Sequence, residues 1–366
     1  MSIQRTSESH TPQLKIERRG RLGILTLNRP EANNVMSFAM VKGLYRHFTE
    51  FAADPSVEAI VIRGEGRAFC PGGDVEAIAG TTPGPAFERL RRDYFATEYR
   101  LNREICGCHK PVVAFIDGMT MGGGCGLSLH GSHAIATERT TLSMPEMAIG
   151  HFPDAGGTLF LNRLPGEMGV YIAMRGLRLN GADALAVGLA THFIPAARLP
   201  EALDALAAAP NLNRERVTAI LDRFRGEPGK TALPERAARI DALFGGATVE
   251  EIVAALECAS ENWARAALEA LKHGSPTSLK VALRQLRDGR SLTAEEALRV
   301  EYRIAVRITA RDDFREGVRA TLVEKDFSPR WRPDRLENVS DQDVARIFAP
   351  LQPDEPELEF DDRRGS

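Results

Sequence analysis

Cysteine is scarce: the 366 residues hold five, Cys70, Cys106, Cys108, Cys125 and Cys258. An odd count in a long chain argues against a disulfide framework. Cys106-Gly-Cys108 lacks the two-residue gap and the second pair that a zinc site needs. The thiols are therefore expected to be reduced, and no metal is expected. Long apolar runs are also lacking; none reaches the roughly 18 residues that a membrane helix requires, so no contact with a membrane is expected. Positive charge is not in excess: 47 Lys and Arg against 50 Asp and Glu leave a net −3. The densest basic cluster, at Arg89, Arg91 and Arg92, carries Glu88 and Asp93 beside it. Such a balance provides no field to gather phosphate, so nucleic acid is not an expected partner. There is no GxxxxGK[ST] loop and no HExxH. The start, MSIQRTSESHTPQ, has no apolar signal core, and one Arg with one Glu makes a poor transit peptide. The tail DDRRGS is polar and expected to fray. A cytosol-like compartment is expected.

What the chain does have is a 43% hydrophobic composition, enough for a sizeable core in one large domain or two. LKIERRGRLGILTLNRP reads as a hairpin turning near Arg19 and Gly20. VEAIVIR (Val57 to Arg63) and KPVVAFI (Lys110 to Ile116) read as buried strands, with shorter ones over residues 132–137 and 140–144. Helical patterns lie at 37–51 and 87–106. Strands alternating with helices predict an α/β fold. After about residue 200 the strand signals stop. Thr248 with Glu251, and Thr293 with Glu296, read as capping boxes. Ile252, Leu256, Trp263, Ala267 and Leu271 recur at helical spacing. Trp263 and Trp331 read as core residues, and GEPGKTALP (Gly226 to Pro234) as an exposed loop. The expected organisation is a core over 1–205 and a mainly helical region over 206–366 that packs on it.

Three glycine-rich loops stand out: AFCPGGD (Ala68 to Asp74), MTMGGGCGLSLHG (Met119 to Gly131) and PDAGGT (Pro153 to Thr158). Singly, each is simply a tight connection. Together, two strand-to-helix loops can aim backbone N–H groups at one point, and the helix that follows adds its positive end. Two such amides make an oxyanion hole, which stabilises the negative oxygen formed when a thioester or ester carbonyl is attacked. MPEMAIGHFPDAGG (Met144 to Gly157) then sets Glu146 and Asp154 eight residues apart among apolar neighbours. Asp154 before Ala155-Gly156-Gly157 also fits a purely structural helix N-cap. Cys70 and Cys125 border the glycine loops but have no histidine nearby in sequence, so they read as small buried filler. His130 and His133 read as structural, and His151 as structural with some chance of lining a site.

In order and spacing, AFCPGGD, IDGMTMGGGCGLS and MPEMAIGHFPDAGGT resemble the crotonase superfamily, which acts on acyl-coenzyme A thioesters. SPTSLKVALRQL, VEYRIAVRI and DDFREGVRATLVEKDFSPRW resemble the branch of it that hydrolyses 3-hydroxyisobutyryl-CoA in valine breakdown. The likeness spans about Leu14 to Leu351. It implies a spiral of ββα turns with a helical C-terminal region. It also implies an oxyanion hole from the amides of Gly73 and Gly123, a catalytic Glu146, an acidic partner Asp154, and a substrate-contacting Glu98 in TEYRLN. Coenzyme A would be part of the substrate, with no separate cofactor. Members of the superfamily are often homo-oligomers built from trimers, an assembly that the C-terminal helices of this branch can alter, so the oligomeric state stays open; the location implied is cytoplasmic, or the mitochondrial matrix in a eukaryote. Hydratases of the superfamily have a second glutamate where this chain has Gly126, so hydration lacks one of its two groups. An isomerase needs only one base and stays open, as does a non-catalytic acyl-CoA-binding protein. Departures at His151, at Pro71 and in NNVMSF bear on the acyl group more than on the reaction.

Overall fold

The structure, a computed structural model, describes residues 13–352 and 355–360. The polar start and the tail DDRRGS lie outside the described residues. The hairpin forms where its pattern places it: β1 (Leu14–Arg19) and β2 (Leu22–Leu27) pair antiparallel. Gly20 turns between them at φ 59°, and a Cβ there would lie 2.1 Å from the Ala207 carbonyl oxygen.

From β2 onward the strands of this sheet run parallel. β2 pairs with β3 (Ala59–Gly64), β3 with β5 (Val112–Ile116), β5 with β7 (His133–Ala136) and β7 with β10 (His192–Phe193). Parallel pairing needs crossover connections and buries both faces of the sheet. That is why VEAIVIR and KPVVAFI read as continuous apolar runs. A second sheet holds β4 (Ala68–Cys70), β6 (Met119–Met121), β8 (Thr141–Ser143) and β9 (Leu179–Asn180) in that order. The pairs β3 and β4, β5 and β6, and β7 and β8 are each followed by helix, so every ββα turn adds one strand to each sheet. This is the expected spiral.

The chain gathers into two compact units. Among the described residues, one draws on those up to Gly73, Arg100–Leu142 and Arg178–Pro234; the other on Asp74–Tyr99, Ser143–Leu177 and those from Glu235 onward. In the first unit, Leu22, Ile24, Val61, Val113, Phe115 and Ile135 form one face of the large sheet. They pack on Leu203, Leu206, Val217 and Ile220 of the helices Leu199–Ala208 and Arg214–Leu221. Along the helix Phe38–Ala53, Phe51 sits where Gly23 leaves room, since a Cβ there would meet its ring at 2.5 Å.

The second unit is helical. The helix Met168–Arg175 lies against Asn262–His273 and Pro276–Asp288, and Ala294–Ile308 lies against Asp341–Phe348. The stripe from Ile252 to Leu271 is carried by two helices, Val249–Glu257 and Asn262–His273. Thr293 and Glu296 form a reciprocal capping box. Thr248 accepts from the Glu251 amide, but the Glu251 carboxylate takes the Ala247 amide instead of closing the box. Trp331 is buried and donates Nε1–H to the His273 carbonyl at 2.9 Å. Trp263 is only half-buried, edge-on to Tyr171 with the Arg236 guanidinium over its ring.

Candidate active site

The two glycine loops follow neighbouring parallel strands. β4 pairs with β6 through Ala68 with Met119 and Cys70 with Thr120, so both strands end side by side. Gly73 is in extended backbone, bridged to Met36, and Gly123 opens the short helix Gly123–Ser128. Amides of a first helical turn have no partner within the helix. Gly72 shows how close the loops run. Its φ is 109°, and a Cβ on it would lie 3.4 Å from the Gly123 nitrogen. A Cβ on Gly124 would lie 2.1 Å from the Cys70 carbonyl oxygen, so glycine there lets the loops pack backbone to backbone. Cys70 and Cys125 are fully buried, as filler would be. Gly126 is buried within the same short helix.

The second unit holds the carboxylates. Glu98 lies on the helix Pro85–Cys106, Glu146 opens a 3-10 helix ending at Ile149, and Asp154 sits in the turn before the helix Gly157–Asn162. All three are almost completely buried, at 3%, 4% and 5% exposure. Burial is the main force raising the proton affinity of Glu98 and Glu146 well above the ordinary carboxylate range; the charge of Asp154 adds to it in both cases. The Tyr99 hydroxyl donates to Asp154 Oδ2 at 2.9 Å. Burial, then the charge of Asp154, raises the proton affinity of that phenol too. His151 Nε2 lies 3.4 Å from the same oxygen. Its ring packs among Phe95, Phe152 and Phe314, with centroids 5.7, 4.8 and 5.7 Å away, which is how a histidine fits where an apolar residue is expected. Glu98 Oε1 and Glu146 Oε2 are buried without a protein partner among the described residues, so both are available to a ligand.

The capping role foreseen for Asp154 falls elsewhere. The N-cap position is Gly156, with no side-chain cap of its own. The Gly157 N–H goes to the Asp154 carbonyl at 2.8 Å, and the Gly156 and Thr158 N–H groups go to Glu301, from the helix Ala294–Ile308. Its Oε2 accepts from the Gly156 N–H at 2.7 Å; its Oε1 accepts from the Thr158 N–H at 2.9 Å and the Thr158 hydroxyl at 2.6 Å. Gln285 Nε2 donates to the Pro153 carbonyl at 2.7 Å, to Thr158 Oγ1 at 2.9 Å and to Glu301 Oε1 at 3.3 Å. Glu301 is fully buried, and burial pushes its carboxyl up to about 7 against the pull of these donors. The turn is strained: Ala155 has φ 53° and Gly156 φ 81°. The left-handed form costs a residue with a Cβ about 1–2 kcal/mol. Hydrogen bonds to a charged group are worth about 1.5–3 kcal/mol each, enough to hold it.

Glu301, Gln285, Thr158 and Tyr99 were not foreseen from the sequence as site residues. One signal for Glu301 was present. Leu298, Glu301, Ala305 and Ile308 share one helical stripe, so a carboxylate stands in the middle of an apolar face.

The chain is similar to known proteins in sequence and fold. Residues 22–348 match the family model described as enoyl-CoA hydratase/isomerase. The mitochondrial 3-hydroxyisobutyryl-CoA hydrolase of Gallus gallus is 44% identical over 92% of this chain and 88% of its own length. The 3-hydroxyisobutyryl-CoA hydrolase 1 of Arabidopsis thaliana is 42% identical over 95% of this chain and 93% of its own. A solved structure described as a carnitinyl-CoA dehydratase from Mycobacterium thermoresistibile is 36% identical and superposes with a TM-score of 0.88, covering 96% of this chain and 99% of that one. The chain belongs to the enoyl-CoA hydratase/isomerase family.

Proposed function

We propose that the protein hydrolyses a short 3-hydroxyacyl-CoA thioester, 3-hydroxyisobutyryl-CoA to 3-hydroxyisobutyrate and coenzyme A, as a step in valine breakdown. The observation that carries this is Asp154: a buried carboxylate, free of capping duty, whose charge bears on Glu146. The names of the most similar curated relatives support the same activity. The dehydratase name of a solved relative points to hydration chemistry. Gly126 speaks against it, because addition of water to a double bond wants a second acid or base there.

In the proposed mechanism the amides of Gly73 and Gly123 take the thioester oxygen as it becomes negative. Glu146, made more basic by its dry surroundings, attacks the carbonyl carbon. Collapse of the tetrahedral adduct breaks the C–S bond, and the coenzyme A sulfur leaves and takes up a proton. Water then attacks the mixed anhydride and cleaves its C–O bond; the oxygen of that water ends in the acid or in Glu146, one of its protons balances the one taken by the sulfur, and Glu146 is regenerated as the carboxylate. In the other route Glu146 removes a proton from water as its oxygen attacks the carbonyl carbon, the adduct breaks its C–S bond, and the departing sulfur takes that proton from Glu146. Asp154, held by Tyr99, orients the substrate hydroxyl or the water and sets the proton affinity of Glu146. Glu98, whose proton affinity burial raises, meets the hydroxyl end of the acyl group. Coenzyme A enters as part of the substrate.

The test is thiol release from (S)-3-hydroxyisobutyryl-CoA, 3-hydroxypropionyl-CoA and crotonyl-CoA, followed with a thiol-reactive dye. Rapid release from the two hydroxyacyl substrates, lost in Glu146→Gln, is expected. Loss of the crotonyl double-bond absorbance without thiol release would replace hydrolysis by hydration. Single turnover in labelled water detects the anhydride opened at the glutamate carbon: label in the Glu146 peptide marks it, whereas direct attack of water leaves the label in the acid alone.

A further inference from the structure

Three buried side chains have no part in the thioester chemistry, and they converge on one turn. Glu301 and Gln285 come from two different helices and bracket Pro153 to Thr158 from both ends. Gln285 holds the carbonyl entering the turn, at Pro153. Glu301 holds the two amides leaving it, at Gly156 and Thr158. Between these anchors lie Asp154 and the left-handed Ala155. A residue with a Cβ keeps that conformation only where its surroundings over-determine it. The anchors are that over-determination.

The hydrogen-bond directions fix the chemistry of the clamp. The Pro153 carbonyl can only accept, so the Gln285 atom facing it is the amide nitrogen. That nitrogen donates to Thr158 Oγ1, whose own hydrogen then points to Glu301. Every group that meets Glu301 is therefore a donor, and the clamp needs two acceptor oxygens 2.7 and 2.9 Å from the amides of Gly156 and Thr158.

We propose that Glu301 is a positioning residue: with Gln285 and Thr158 it locks the Pro153–Thr158 turn in its strained shape and so holds the Asp154 carboxylate on the Tyr99 hydroxyl. The kinetic consequence rests on the hydrolase activity proposed above; the geometric one does not. A carboxamide at this position has only one acceptor, so Glu301→Gln sets an NH2 against one of the two amides. The turn then relaxes and Asp154 drifts. A misplacement of about 1 Å can cost on the order of 100-fold in rate.

The experiment compares wild type, Glu301→Gln and the double variant Glu301→Gln with Ala155→Gly, measuring kcat, KM and amide exchange. In Glu301→Gln, kcat is expected to fall roughly 10- to 100-fold with KM changed less than about 3-fold. The amides of Gly156 and Thr158 should exchange at least about 10-fold faster. Glycine at 155 removes the strain, so the double variant should recover about 5-fold of the lost kcat. Unchanged exchange at these two amides in Glu301→Gln overturns the proposal. So does a loss of kcat that only tracks the folded fraction and that Ala155→Gly does not restore. If Glu301→Gln does not fold, Gln285→Met cuts the anchor on Pro153 and should show the same pattern at smaller amplitude; wild-type exchange and kcat there would also overturn it. If wild type releases no thiol at all, the hydrolase reading fails by itself, and the exchange data still decide whether Glu301 holds the turn.

Discussion

The glycine loops at Gly73 and Gly123 and the carboxylates at Glu98, Glu146, Asp154 and Glu301 meet opposite problems. The loops must expose backbone, so they discard side chains. Their precision comes from contacts such as Gly124 against the Cys70 carbonyl. The carboxyl groups sit where water is excluded, so burial and neighbouring charges govern the protons of Glu98, Glu146 and Glu301. The first arrangement is local in sequence, with strand, loop and helix following one another. The second brings together residues as far apart as Glu98 and Glu301. A backbone device has no functional group that a point mutation can delete, while a carboxylate device fails by a single isosteric change. That contrast can be tested from both sides.

The largest effect is expected on the carboxylate side. Glu146→Gln keeps the size of the side chain and removes the charge, and should lower kcat by roughly 10²–10⁴, the usual contribution of a positioned acid or base, with a small change in KM. A variant within a few-fold of wild type would leave Glu146 no role in the chemistry. On the backbone side only crowding is available. Gly124→Ala forces a Cβ to within 2.1 Å of the Cys70 oxygen unless the loops part. Loss of one well-placed donor costs about 10²–10³ in kcat, and a fall of that order is expected together with a lower Tm. Normal kcat with a lowered Tm would show that the loops pack but do not hold the oxygen.

Asp154→Asn should act more gently and in a signed way. Asp154 raises the proton affinity of Glu146, so removing its charge lowers that affinity. Turnover that needs ionised Glu146 rises with pH as this group loses its proton. The acid limb of the kcat profile should therefore move to lower pH in the variant, while kcat on the plateau drops about 10-fold through lost orientation. A limb that stays in place or moves up would mean that the two carboxylates do not sense each other in solution.

The two devices were also unequally legible in the sequence. The ββα alternation and the glycine loops are readable because their requirements are met within about a dozen residues. Glu146 and Asp154 are visible as charges in an apolar stretch. Glu301 shows only as a carboxylate on the apolar stripe of VEYRIAVRI, and its role is not legible because its partners lie 143 and 145 residues away. The competing structural reading of Asp154, as a cap, is set aside for the same reason. The local pattern is that of a cap, but a distant carboxylate reaches the amides and frees Asp154 for Tyr99. The Thr248 box missed its reciprocal bond for a local reason, since Glu251 reached the Ala247 amide first.

Stability against pH provides the smallest effect and the strictest comparison of the two units. In the first unit His133 and His192 are buried, with ring centroids 5.7 Å apart. Burial, His192 and Arg214 push His133 down to about 4, with Asp222 opposing; burial and Arg225 lower His192, again against Asp222. The unfolded chain therefore binds more protons than this unit between pH 6.5 and about 4, and the unit's stability is full above 6.5 and lost as pH falls through that window. In the second unit the signs reverse. Glu98 and Glu146 are raised, and Glu301 is raised to about 7 from an ordinary 4.5. Here the folded unit holds the extra protons, so the contribution of Glu301 to its stability is full below 4.5 and lost as pH rises through about 7, and those of Glu98 and Glu146 have the same sign. Surface carboxylates held low by their partners, such as Glu316 and Asp343, change protonation only below that window. Amide exchange corrected for intrinsic rate should thus show protection of β5 and β7 falling from pH 6.5 to 4.5, while protection of the helices Met168–Arg175 and Pro276–Asp288 rises. If both sets move together, the chain opens as one cooperative unit and the contrast belongs to chemistry alone. If they move apart, the histidine pair and the carboxylates each govern the unit that buries them.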